Sequence, residues 1–177
     1  MSMIEHFPSS SPSPEAIETI ASPETEQSLV DVVECAVNDP ELKTLAAENK
    51  LAVAQGEINI KMLTKLKPSE GWAYKVYANE SEETARKLVA AVYVTKKGLD
   101  YGTVEIAYFS DGEERGKGYA TAGVSEVTEI LTQKYEVLAK IDIGNEPSEA
   151  IVRKLGYKSM HMGEGSMNLF VKDKHRG

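Results

Sequence analysis

From residue 71 onward, short apolar runs alternate with polar breaks, and the period of the apolar positions changes along the chain. Trp72 to Tyr77, Leu88 to Thr95 and Thr103 to Phe109 are dense in aromatic and β-branched residues. The polar segments ANESEETARK and KKGLDYG separate them, which predicts three antiparallel strands in a meander. Tyr119 to about Gln133 reads as a helix, Val137 to Ile143 as a strand and Pro147 to Leu155 as another helix. Tyr157 to Met162 and Met167 to Lys172 read as a closing hairpin around Gly163-Glu164-Gly165.

The first third is patterned differently. Ala16 to Ala21 predicts a short first strand. Ser22-Pro23-Glu24 then has the form of a helix start, because Ser can cap and Pro has no N–H to lose in the first turn. Leu29, Val32, Val33 and Ala36 follow at helical spacing, so a helix is expected there. Asp39-Pro40-Glu41 repeats the device and predicts a second helix running to about Leu66, stopped by Pro68. Residues 1–14, rich in Ser and Pro, predict a disordered tail, which leaves 15–177 as a single domain. The expected order is strand, two helices, three strands, helix, strand, helix, two strands.

Composition narrows this only a little. Hydrophobic residues make up 41% and charged residues 27% of the 177, which separates the chain from disordered and membrane classes but names no chemistry. A net charge of -8 argues against nucleic acid as a partner and would draw a cationic or amine substrate. The longest apolar stretch, Leu88 to Val94, falls far short of the ~20 residues of a membrane span. No basic start leads into an apolar run, so the cytoplasm is the expected location. The single cysteine, Cys35, excludes an intrachain disulfide, and within an expected helix it reads as structural. His6, His161 and His175 are scattered, so no metal site is expected.

The loop Arg115-Gly116-Lys117-Gly118-Tyr119-Ala120 lies between a strand ending near Ser110 and a helix beginning near Tyr119. Glycines at 116 and 118 let the backbone approach a ligand, and N–H groups at a helix start favour anions. Arg115 and Lys117 add positive charge. Tyr119 follows Gly118, so the G-x-x-x-x-G-K-[ST] phosphate loop is excluded. Thr121 stands where a G-x-G-x-x-G dinucleotide fingerprint needs its third glycine.

The run EIAYFSDGEERGKGYAT closely resembles motif A of the GNAT superfamily of acyl-CoA N-acetyltransferases, with Arg115, Gly118 and Ala120 filling [QR]-x-x-G-x-[GA]. About 30 residues on, Asn145-Glu146-Pro147-Ser148 and Leu155-Gly156-Tyr157 resemble its motif B, N-x-x-[AS]…G-[FY]. Over roughly 104 to 157 the wording is most similar to the Rim-type branch, which acetylates ribosomal-protein N-termini. The resemblance implies an α/β (α+β) GNAT fold, a mixed, mostly antiparallel sheet of about six to seven strands flanked by helices. It also implies acetyl-CoA as acyl donor and a primary amine as acceptor, a protein N-terminus among the candidates. It does not separate a monomer from a homodimer.

It further assigns roles. Ile106 and Tyr108 on the strand, Arg115, Gly116, Lys117, Gly118, Tyr119, Ala120 and Thr121 in the loop and helix start, and Asn145, Ser148 and Lys154 would contact the cofactor. Glu105 occupies the position of a general base, or is a solvent-facing strand residue paired with a lysine. Ser148 would assist the leaving thiolate, or is a first-turn capping group. Asn145 would bond the pantetheine arm, or shapes the turn before Pro147. Arg153 and Lys154 could reach phosphates, or serve the negative end of their helix. Met160, Met162 and Met167 line the acceptor mouth or fill core gaps.

Val152 stands where many members carry a tyrosine, and Ala122 where the Rim-type branch usually has Glu. These departures keep open a non-catalytic acyl-CoA-binding protein on the same fold. The acidic charge keeps open a small-molecule enzyme acting on a polyamine, amino acid or drug amine.

Overall fold

A computed structural model of the chain describes residues 28–48, 63, 65–79, 86–97, 99–160 and 166–175. The expected strand at 16–21 and tail at 1–14 lie outside these residues, as do residues 49–62 of the expected second helix. Among the described residues, seven strands form one sheet and three helices of nine or more residues pack on it. The strands are β1 (Val30–Cys35), β2 (Gly71–Ala78), β3 (Leu88–Thr95), β4 (Thr103–Ser110), β5 (Glu136–Asp142), β6 (Lys158–Met160) and β7 (Met167–Lys172). The helices are α1 (Pro40–Glu48), α2 (Tyr119–Thr132) and α3 (Glu146–Lys154).

The sheet order is β1-β2-β3-β4-β5-β7-β6, antiparallel throughout except for the parallel pair β4 and β5. The meander, the helix after the glycine loop and the strand and helix beyond it form as expected, and β6 and β7 pair antiparallel as the two arms of the closing hairpin, whose turn at 161–165 lies outside the described residues. β3 is buried on both faces, because α2 covers one side and α1 the other. The larger core sets Val76, Val92, Val94, Val104 and Ile106 against Val124, Val127 and Leu131 of α2 and Val152 of α3. The smaller core sets Ala91, Tyr93 and Phe109 against Val37, Leu42 and Leu45 around α1. Each fully buried valine or leucine contributes roughly 1.5–3 kcal/mol.

Two local features bring the helices into place. Asp39 accepts the Glu41 N–H at 2.9 Å, so α1 starts at the Asp-Pro-Glu signal. In α2, a Cβ on Gly123 would lie 2.7 Å from a Val76 methyl, so only glycine lets the helix sit this close to β2.

The stretch around Val32 corrects the sequence reading. It is not a helix but the edge strand β1, with Val30 opposite Ala78 and Val32 opposite Val76. Leu29 and Val33, expected on the buried face of a helix, are exposed. Three β-branched valines in six residues favour the pleated form, and the free edge of β2 completes their hydrogen bonding. Cys35 consequently sits half-buried on a strand, where burial above all, with help from Asp39, pushes its thiol up to about 11. That makes it a poor nucleophile.

Candidate active site

β4 and β5 pair only from Thr103/Glu136 to Ile106/Ala139, although β4 continues to Ser110 and β5 to Asp142. Beyond Ile106 the two strands part. The groups of Ala107 to Phe109 that face β5 have no ladder partner, while the opposite edge of β4 stays bonded to β3. A V-shaped slot with main-chain donors and acceptors along one wall results, suited to an extended chain that carries amides.

One rim of the slot is the loop after β4. Asp111 caps a short 3-10 turn, Gly112–Glu114, by accepting the Glu113 N–H at 3.0 Å. Gly116 and Gly118 then take φ of +80° and +87°, the left-handed region. Gly118 is the N-cap of α2 and offers no side-chain cap, and no acidic residue stands in the first turn. The first intrahelical bond runs from Ala122 N to Gly118 O at 2.9 Å. The N–H groups of Ala120 and Thr121 precede it and face the helix entrance, an arrangement that fits an anion.

The two loop cations differ. Arg115 is exposed and makes no ion pair among the described residues. Lys117 Nζ lies 2.6 Å from Glu114 Oε2. The other oxygen of Glu114 meets Lys87 Nζ at 2.5 Å, and the carboxylate between them is only 6% exposed. Lys117, and then Lys87, hold Glu114 below the usual carboxylate range. Glu114 therefore ties Lys117 and the loop to Lys87 at the start of β3, and its single negative charge is shared between the two lysines. Sequence reasoning missed Glu114, although an acid within three residues of Lys117 was a usable signal.

The other rim is the start of α3. Asn145 is its N-cap, accepting the Ser148 N–H at 3.3 Å, so the turn-shaping role holds, with the amide NH2 left over. Tyr108 reaches across from β4 and donates its hydroxyl to the Ser148 carbonyl at 3.1 Å. Burial pushes the Tyr108 phenol up to about 12, so it stays a proton donor at neutral pH. Val152 is fully buried in the larger core and contributes no hydroxyl. Tyr157 is buried and bonded to Thr128 at 2.8 Å, pinning the strand after α3 to α2.

Alternation along β4 places the chemistry on opposite faces. Tyr108, with Val104 and Ile106, belongs to the α2–α3 side. Glu105 faces the α1 side, where its Oε2 meets Lys140 Nζ at 2.8 Å. The lysine pairing thus holds, and it lies at the apex of the slot. On the same face, Lys140 is opposite Leu169 and Leu169 opposite Met160. Met160 and Met167 are exposed, so they do not fill core gaps; Met162 lies outside the described residues.

Tyr108 lies where β4 leaves β5, the loop from Arg115 to Thr121 leads from β4 into α2, and Asn145 and Ser148 open α3, with the Tyr108–Ser148 bond joining β4 to α3. The Ile106 side chain is instead buried in the larger core. Lys154 is also set apart. It is exposed in the last turn of α3, about 12 Å along the helix from its start, and no contact joins it to the loop among the described residues. Arg153 bonds Glu149 at 3.2 Å and lies 5.0 Å from the Phe170 ring centre, a structural position. His175 pairs with Glu129 on the surface at 3.1 Å, and no metal-ligating cluster occurs among the described residues. A groove of about 380 Å³ between α1 and β3, lined by Glu41, Leu45, Lys87 and Asp111 among others, contains none of the site residues.

The family model for the acetyltransferase (GNAT) domain matches residues 20–158. The chain belongs to the GNAT acetyltransferase family. Solved structures of this fold align with most of the GNAT chain. An acyl-CoA N-acyltransferase assigned from Klebsiella pneumoniae shares 14% identity at a TM-score of 0.62, with 84% of this chain and 99% of that one covered. RimL, a ribosomal L7/L12 α-N-protein acetyltransferase in complex with coenzyme A, shares 11% at 0.57, with 82% and 94% covered. A chimera of the spermidine N-acetyltransferase SpeG from Vibrio cholerae and hSSAT shares 12% at 0.59, with 81% and 93% covered. At these identities the structures show the fold alone. A search of curated protein sequences finds no match. No helix among the described residues is long and apolar enough to cross a membrane.

Proposed function

We propose that this GNAT enzyme moves acetyl from acetyl-CoA to a primary amine, with a protein N-terminal α-amine the leading acceptor. The observation that carries the reading is the slot beyond Ile106 and Ala139, with a carboxylate on one face and hydroxyls on the other. The pantetheine arm would lie along the unpaired edge of Ala107 to Phe109, and the pyrophosphate at Arg115, Gly116, Gly118, Ala120 and Thr121.

An amine attacks a thioester only when neutral. At pH 7 that costs about 1–1.5 kcal/mol for an α-amine and roughly 4–5 kcal/mol for a lysine. Glu105, on the α1 face, would take the amine proton. Ser148 is the hydroxyl available to the leaving thiolate on the other face, its backbone held by the bond from Tyr108. Attack from one side and departure on the other would then proceed through the slot.

On the Glu105 face the exposed apolar Met160 and Met167 flank Leu169, beside the ion pairs Lys140–Glu105 and Lys158–Asp173. Exposed apolar surface with its charges already paired suits a peptide end better than a polycation. A polyamine acceptor draws support only from the overall charge of -8.

Release of coenzyme A thiol from acetyl-CoA, followed with N-terminal peptides, polyamines and amino acids, tests the assignment. Turnover only with peptides bearing a free N-terminus supports it. Turnover only with polyamines transfers the reading to the small-molecule class. Stabilisation by acetyl-CoA with no turnover on any amine supports a binding-only protein.

A further inference from the structure

Lys140 is the first residue of β5 beyond the last pair with β4, at the apex of the slot. Its ammonium lies 2.8 Å from Glu105 Oε2, and its side chain is 38% exposed, so it is not locked in the core. An acceptor that uses Glu105 as its base brings a nitrogen within hydrogen-bond distance of this same carboxylate, directly or through one water. Lys140 Nζ already stands there.

We propose that Lys140 is an intramolecular acetyl acceptor, modified by the chain itself when acetyl-CoA is bound and no amine substrate displaces it. The inference rests on Glu105 acting as the base. In the step, the Lys140 ammonium gives one proton to Glu105, and the neutral Nζ attacks the thioester carbonyl carbon. The C–N bond forms and the C–S bond breaks. The coenzyme A thiolate takes the second proton lost by the nitrogen, and Glu105 returns its own to solvent. The products are Nε-acetyl-Lys140, coenzyme A thiol and one proton. The amide carries no charge, so modification also dissolves the ion pair with Glu105 and changes the acceptor face from cationic to neutral at that point.

The full chain incubated with acetyl-CoA and no added amine, followed by intact mass and peptide mapping, tests this. The expected result is one added acetyl group at Lys140, with a rate constant independent of enzyme concentration. Lys140→Arg should lack it, and Glu105→Gln should form it at least about tenfold more slowly, with acetyl-CoA still raising the Tm of both variants. No adduct on a chain that acetyl-CoA does stabilise overturns the proposal and leaves the donor site standing. Adducts spread over surface lysines at equal rates in Glu105→Gln overturn it as well, since they would mark uncatalysed chemistry. Absence of any stabilisation by acetyl-CoA would overturn the donor-site reading and this inference with it.

Discussion

Replacing Gly118 by alanine separates backbone geometry from steric crowding in the loop. Its φ of +87° lies where a Cβ is disfavoured, whereas the nearest atom to that Cβ, a Leu29 methyl carbon at 3.6 Å, is at ordinary contact distance. The cost is therefore conformational, about 1–2 kcal/mol. Gly102, at φ +73° with nothing within 4 Å of an added Cβ, carries the same strain in the turn before β4 and serves as the control. Either variant should lower Tm by roughly 2–8 °C for a chain of this size. If the Gly118 variant relieves its strain by turning the loop, the helix N–H groups no longer converge on a phosphate. Acetyl-CoA affinity should then fall by about 5–30-fold, the equivalent of that strain. Gly102→Ala should leave affinity within about twofold. Calorimetric titration with acetyl-CoA, beside thermal melts, reads both quantities. A melting loss smaller than that of Gly102→Ala, the mark of a turned loop, with unchanged affinity in Gly118→Ala would refute the assignment of this loop to the pyrophosphate.

Three further outcomes follow from the geometry. Glu105→Gln should lower kcat by about 100-fold or more while acetyl-CoA affinity holds, because the carboxylate lies outside the loop and acts on the acceptor; equal losses in both would assign it a structural role. Glu114 has its carboxyl lowered in the fold by Lys117 and then Lys87, so its stabilising contribution is present above its unfolded value and is lost as pH falls through the folded one. Glu114→Gln should accordingly melt below the parent at neutral pH, and the gap should close as melts are repeated below the usual carboxylate range; a gap independent of pH would contradict the ion-pair account. With its thiol near 11, Cys35 should react with iodoacetamide at pH 8 on the order of a hundredfold more slowly than a free thiol, and Cys35→Ala should retain turnover.

The elements from residue 71 onward were legible because each has one dominant period. The strands carry β-branched and aromatic runs between polar breaks, and α2 shows its buried face at Tyr119, Gly123, Val127 and Leu131. The stretch from Leu29 to Ala36 misled because Leu29, Val32, Val33 and Ala36 match helical spacing while the strand's own signal is a single short alternation, Val30-Asp31-Val32, which only the partner β2 makes decisive. Within the site, the loop and motif B could be placed from local wording alone. The face on which Glu105 lies, the tether from Glu114 to Lys117 and the reach of Tyr108 to Ser148 could not. Each depends on which strands part and which elements pack above them, contacts between residues up to 40 positions apart in sequence.

The most direct test of the account is steady-state release of coenzyme A thiol from acetyl-CoA with a peptide acceptor, compared between the free N-terminus and the same peptide blocked at its α-amine. The account predicts turnover with the free peptide, none with the blocked one, and loss of at least about 100-fold in kcat for Glu105→Gln. Equal rates with both peptides, or full activity in Glu105→Gln, would contradict it.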